Sequence, residues 1–241
     1  MGTKTLVFLA FFSLFVLAGC ELVAVLDQEI DAAIRAKDPD MCEELDDRRV
    51  DRCLAMVAKA MGDTSVCQRI HGAGAINSCI IDIAADKKDI DICNEMEGTP
   101  YVLCVQAVAV EAKRPAHCAR IDPEEYPFDH QKCLSDTAIE IGDASYCQEV
   151  NDPRHRNNCY LHIGLRNRDH ELCDQISVEN LEDQCNRQIA FSTLNPSLCA
   201  RIISDRERDN CYESISRSTK DPLLCELITN EVSKERCLRN I

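Results

Sequence analysis

Cysteine thiols are the most reactive groups in this sequence, and their spacing limits what they can do. There are 17 in 241 residues. Cys20 stands apart from the other sixteen, which are Cys42, Cys53, Cys67, Cys79, Cys93, Cys104, Cys118, Cys133, Cys147, Cys159, Cys173, Cys185, Cys199, Cys211, Cys225 and Cys237. Their separations alternate. One step is always 14 residues; the other is usually 12, with 11 at Cys42/Cys53 and Cys93/Cys104 and 15 at Cys118/Cys133. Three chemistries use cysteines in number: thiol redox exchange, thiolate metal binding and disulfide bonding. No Cys-x-x-Cys pair occurs, so a thioredoxin-type redox motif is missing. Steps of 12 and 14 fit no zinc-finger spacing. A copper store needs thiolates clustered within a turn or two. A disulfide framework is the reading that remains, provided the chain folds in an oxidising compartment.

Other side chains offer less. His155, His162 and His170 are the densest histidines, yet no pair has the i, i+4 spacing of a helical metal site. No Gly-rich phosphate loop, serine-nucleophile elbow or EF-hand run of aspartates appears. No catalytic residue, metal or cofactor is therefore expected. The formal net charge is −15, which repels nucleic acid and anionic lipid headgroups and keeps the chain soluble.

The elements that must position the cysteines follow from their register. The period is about 26 residues, the mark of a repeat architecture. In each repeat, call the first cysteine A and the second B. Four residues before A stands Asp38, Asp63, Asp89, Arg114, Asp143, Asp169, Asn195 or Asp221; seven of the eight are Asx, a strong helix N-cap. Proline follows it at Pro39, Pro115, Pro196 and Pro222, where a missing N–H costs nothing. Three residues after A the side chain is always apolar, from Leu45 to Ile228, on the same expected helix face as the cysteine. Four residues after B comes Val57, Ile83, Val108, Thr137, Ile163, Ile189, Ile215 or Ile241. A small residue then follows (Ala58, Ala84, Ala109, Ala138, Gly164, Ala190, Ser216), which lets a neighbouring helix come close. The pattern predicts an all-α fold, an α-solenoid of about eight hairpins, each a two-turn helix A and a roughly three-turn helix B.

The ends of the array bear on the pairing. Fourteen residues before Cys42 stands Gln28, in a stretch that reads as a helix B without a cysteine. Cys237 has no helix A after it. Pairing each B with the next A would orphan both Cys42 and Cys237, whereas pairing A with its own B uses all sixteen. The expected bonds are therefore Cys42–Cys53, Cys67–Cys79, Cys93–Cys104, Cys118–Cys133, Cys147–Cys159, Cys173–Cys185, Cys199–Cys211 and Cys225–Cys237. Such short helices are unstable alone, and each closed loop contributes about 3 kcal/mol on the chain-entropy model.

The leader speaks to the compartment. Lys4 precedes an apolar run from Leu6 to Ala18, too short to span a bilayer but of the length of a secretory h-region. It ends in Leu17-Ala18-Gly19-Cys20, which resembles the lipobox of bacterial and archaeal lipoprotein signal peptides. That resemblance implies a signal peptide over residues 1–19, lipidation of Cys20, a lipidated N-terminus and start of a capping helix over 20–27, and a helical-repeat domain over 28–241. It places the mature chain outside the cytoplasm, anchored by its acyl group to the cell membrane or outer membrane. Over about residues 22–241 the architecture also resembles the cysteine-rich secreted members of the Sel1-like and tetratricopeptide α-solenoids. The period is shorter here, and their Trp-Leu-Gly-Tyr signature is absent. This second resemblance implies binding of a protein or other ligand on a curved surface.

One repeat breaks the rhythm. Between Cys118 and Cys133 the turn is enlarged to Asp122-Pro123-Glu124-Glu125-Tyr126-Pro127-Phe128-Asp129-His130. Insertions in repeats map to surface loops that often bind partners, so Tyr126, Phe128 and His130 form a candidate binding loop; the structural alternative is that Tyr126 and Phe128 fold back onto Tyr146 or the adjacent helix. The expected function is a non-catalytic, membrane-tethered scaffold for a protein or envelope partner. The rival is an envelope-associated enzyme, or a thiolate metal-binding protein, whose site is assembled across repeats.

Overall fold

The computed structural model describes residues 28–241. Cys20, the leader over 1–19 and the segment over 20–27 lie outside the described residues. The fold is an α-solenoid: among the described residues every regular element is a helix, and long and short helices alternate. Two compact units are present, one ending at Val108 and the other spanning Ala109–Ile241.

The first unit opens with a helix over residues 28–36. Short helices Asp40–Glu43, Thr64–Cys67 and Ile90–Glu95 then alternate with long ones, Asp47–Met61, Ala73–Lys87 and Gly98–Ala112; the boundary falls inside the last of these. The second unit repeats the theme with short helices Pro115–Arg120, Ala144–Glu149, His170–Gln175, Pro196–Arg201 and Pro222–Leu227. Its long helices are Pro127–Ile141, Pro153–Asn167, Glu179–Thr193 and Asp205–Thr219, closed by Glu231–Arg239.

Eight disulfides staple the hairpins, each joining a short helix to the long helix that follows: Cys42–Cys53, Cys67–Cys79, Cys93–Cys104, Cys118–Cys133, Cys147–Cys159, Cys173–Cys185, Cys199–Cys211 and Cys225–Cys237. Hairpins are numbered one to eight in that order. All sixteen sulfurs lie in the interior, alongside the apolar residues that follow each cysteine, such as Ile121, Val150, Ile163, Ile189, Ile202 and Ile215. Disulfides of this kind belong to an oxidising compartment.

Both helix types depart from the sequence expectation. Helix A is a six-residue 3₁₀ helix in hairpins three to eight and a four-residue α-helix in the first two. The apolar residue three after cysteine A therefore does not share a helical face with it. In hairpins three to eight it is the first extended residue past the helix, its N–H bonded to the cysteine carbonyl, as Ile121 bonds Cys118. Extension turns it into the core, where Ile121, Val150 and Ile202 are buried. Helix B is longer than expected: it runs 15 residues in hairpins one to seven, slightly over four turns.

The caps explain where helices stop. Asp38, Asp63, Asp89, Asp143, Asp169, Asn195 and Asp221 each accept a bond from the backbone N–H two residues on. Arg114 makes no such cap. The residue just before each of these eight has positive φ: Lys37, Gly62, Lys88, Lys113, Gly142, Arg168, Leu194 and Lys220. This left-handed residue ends helix B and lets the next N–H reach back to the small residue of the helix's last full turn. Asp63 thus bonds Ala58, Asp169 bonds Gly164 and Asn195 bonds Ala190. The small position has a packing reason as well. A Cβ on Gly164 would stand 3.2 Å from the Asp169 carbonyl and 3.6 Å from the Cys185 sulfur of the next hairpin.

Candidate functional site

The residue two before cysteine B does the work of joining hairpins, and the sequence reading missed it. Its side chain reaches forward about twenty residues to the backbone that opens the next long helix. In hairpin four, Gln131 Oε1 accepts from the N–H groups of Asn151 (2.6 Å) and Asp152 (3.1 Å). In hairpin five, Asn157 Oδ1 accepts from Ser177 N–H at 3.1 Å, and the two side chains also bond each other. Asp183 takes Ile203 N–H on one oxygen (2.6 Å) and Ser204 N–H on the other (2.9 Å). Asp209 repeats this with Thr229 and Asn230, both at 2.9 Å. In the first unit Asp51 accepts from His71 N–H at 3.0 Å, and that bond holds the Asp51 carboxyl below its ordinary range. Asn157, Asp183 and Asp209 are buried. Such groups persist inside a fold because the backbone donors satisfy them. The available signal was the run Asp51, Asn77, Gln131, Asn157, Asp183 and Asp209 at one register position, which apolar periodicity alone does not report.

Three of these struts, Gln131, Asp183 and Asp209, form the floors of grooves along the edge where the long helices of the second unit begin. Between hairpins four and five a groove of about 390 Å³ is lined by Pro123, Pro127, Phe128, Gln131, Asn151, Asp152 and Arg154. Between hairpins six and seven a groove of about 680 Å³ is floored by Asp183 and walled by Glu179, Asn180, Gln184, Arg187 and Glu207. Between hairpins seven and eight a groove of about 640 Å³ lies over Asp209, with Arg206, Asn210, Ser233 and Arg236 around it. The lining positions correspond from one groove to the next, so the floor repeats while the walls vary.

The enlarged turn supplies the apolar wall of the first groove. Asp122 starts it, accepting from Glu124 N–H while its carbonyl accepts from Tyr126 N–H. Tyr126 and Pro127 open the long helix, and the Glu125 carboxylate beside the Tyr126 hydroxyl raises that phenol above its ordinary pKa. Phe128 is 51% exposed. One edge of it packs against the His155 ring at 4.6 Å, and the Arg154 guanidinium lies 5.8 Å from its centre. It therefore leans on the helix of hairpin five rather than on Tyr146 and still presents a face to solvent. His130 stays on its own helix, its ring nitrogen 3.3 Å from the Gln131 amide. Of the three loop residues, only Phe128 lines the groove. Asp152, at the groove and capping the helix of hairpin five, is held below the usual carboxylate range, first by His155 N–H and then by Arg154.

Two further features lie beside the row. Glu213 is buried at the junction of hairpins seven and eight and paired with Arg236 (2.6 Å) and Arg217 (2.8 Å); the Arg236 bonds are the main reason its carboxyl is lowered. Asn186, one residue after cysteine B in hairpin six, is fully buried, and neither its amide nitrogen nor its oxygen has a hydrogen-bond partner among the described residues. Among the described residues no three His, Cys, Asp or Glu side chains converge as metal ligands, and no helix is long and apolar enough to cross a membrane. No family model matches the chain, and neither a curated protein nor a solved structure matches it.

Proposed function

We propose that this chain is a membrane-tethered, extracytoplasmic scaffold that binds a polypeptide partner without chemical turnover. The observation that carries the reading is the row of grooves over hairpins four to eight, with a repeated floor and varied walls. A common floor keeps the hairpins in register, and changes in the walls set what each groove accepts. A repeat array that must hold an extended partner needs both. Disulfides suit the extracytoplasmic side, and the lipobox-like Leu17-Ala18-Gly19-Cys20 supplies the anchor.

The test uses the anchored, full chain. A photo-crosslinking residue at Gln184, in the groove between hairpins six and seven, is expected to capture a polypeptide partner in intact cells. The same residue at Lys220, which is exposed at the far end of a long helix, is expected to capture none. Cys20→Ala is expected to release the folded protein from membranes. Equal capture at both positions, or retention of Cys20→Ala in salt-washed membranes, contradicts the reading.

A further inference from the structure

The walls of the grooves define a chemistry for the occupant, and we infer that they take an extended, cationic polypeptide segment carrying one apolar anchor, seated on Phe128. The inference rests on the scaffold reading above and specifies its partner. Three observations carry it.

The first is charge. In hairpins four to eight, the segments between cysteines A and B (119–132, 148–158, 174–184, 200–210 and 226–236) hold sixteen acidic and nine basic residues. Several of the basic residues are already engaged across or along the array. Arg201 pairs with Asp174, Arg208 with Asp205, Lys132 with Asp136, Lys234 with Glu226 and Arg236 with Glu213, while Arg187, just outside these segments, pairs with Glu207. The edge that carries the grooves thus keeps a surplus of carboxylates, which draws a cationic chain and repels an acidic one.

The second is the anchor. Five residues before cysteine B the repeats hold Arg48, Gly74, Thr99, Phe128, Arg154, Asn180, Arg206 and Val232. Phe128 is the only aromatic in that column, and it stands half exposed on a groove bordered by Pro123 and Pro127. Its underside is held by His155, so the exposed face is fixed before any partner arrives. A rigid aromatic in a groove wall is what anchor residues of a partner bury against. Around it, Glu124 and Glu125 are exposed on the enlarged turn, so a positive residue beside the anchor finds a carboxylate within the same segment.

The third is geometry. The grooves recur at corresponding positions of stacked hairpins, so a chain crossing the long helices meets the apolar groove first and the two polar grooves over Asp183 and Asp209 further on. An extended segment can follow that line, with its anchor on Phe128 and a lysine or arginine side chain over the exposed Glu179.

The experiment selects binders from a displayed library of random dodecapeptides against the full mature protein, then reads the positions of groove amides by NMR. Enriched peptides are expected to be net positive with a single apolar or aromatic residue, and to shift the amides of Phe128, Arg154 and Asn151. Phe128→Ala, a change at an exposed side chain, is expected to weaken them about tenfold. Glu124→Gln with Glu125→Gln is expected to weaken them further and to flatten their dependence on salt. Enriched peptides that are neutral or acidic yet still shift the groove amides overturn the cationic assignment and leave the scaffold reading standing. Peptides that shift no groove amide, or no enrichment at all, overturn both.

Discussion

The two ends of the long helices solve different problems with the same repeat. At the far end, where helix B gives way to the next helix A, the backbone turn is set locally by a left-handed residue, an Asx cap and an N–H bonded to a carbonyl one turn back. Exposed side chains of the following long helix, Lys87 and Asn167, donate to the Gly62 and Gly142 carbonyls there. At the near end the solution is non-local, with a buried side chain holding the backbone of the following hairpin twenty residues away. The far end sets the turn from one helix to the next, and the near end carries the buried ties between hairpins. Grooves form at the near end, because a strut that spans two hairpins leaves space above it.

If that contrast is right, breaking a strut should cost more than perturbing a cap. Asp183→Leu leaves the N–H groups of Ile203 and Ser204 without their acceptor. An unsatisfied buried donor costs about 1–3 kcal/mol, and relief of a buried carboxylate offsets part of it. The expected net loss is about 2 kcal/mol by denaturant unfolding. Hydrogen exchange should quicken at residues 203–208, and the caps at Asp169 and Asn195 should stay protected. Asp183→Asn keeps one acceptor and should lose about half as much. A loss spread evenly over the hairpins would show that the strut has no local role.

Much of this architecture is legible from cysteine and cap spacing. Seven Asx caps are read directly because the cap is a local device, and the eight staples are the pairs expected from the alternating cysteine spacing. The near end is harder. Gln131, Asn157, Asp183 and Asp209 are polar residues on a face where periodicity asks for apolar ones, and their partners lie beyond the next cysteine. The 3₁₀ form of helix A was also hidden, since Asx-Pro openings suit either helix type. Phe128 was legible as an exception in composition. Tyr126 and His130 were not separable from it, because side-chain direction at a helix start depends on the first turn's geometry.

The middle of the helix sharpens the contrast in the opposite direction. One residue after cysteine B the repeats carry Leu54, Ile80, Val105, Leu134, Tyr160, Asn186, Tyr212 and Leu238. Asn186 is the only amide in that column, fully buried and without a partner among the described residues. Burying an unpaired amide costs about 1–3 kcal/mol by mutational measures. Asn186→Leu restores the apolar residue of hairpins one and four with the same branched side-chain shape and should stabilise the protein by about 1–2 kcal/mol. Unchanged or lower stability would mean the Asn186 amide has a bonded role that a leucine cannot fill. The groove amides between hairpins six and seven should keep their positions, since Asn186 does not line the groove there.

The smallest effect belongs to the far end. Leu194 ends its helix at φ 51°, a conformation that costs a residue with a Cβ about 1 kcal/mol and glycine almost nothing. Gly62 and Gly142 already occupy the same position in hairpins one and four. Leu194→Gly should therefore raise stability, but only by about 0.5 kcal/mol, because the more flexible unfolded chain takes back part of the gain. The reciprocal change, Gly142→Ala, should lower stability by a similar amount; its Cβ would meet only the end of the Arg166 side chain at 3.2 Å, which can move. Because the device is local, the Leu194→Gly effect should survive unchanged in the Asp183→Leu background. Additivity within measurement error would confirm that the two ends act independently, and a coupling larger than about 0.5 kcal/mol would show that the caps and struts form one cooperative network.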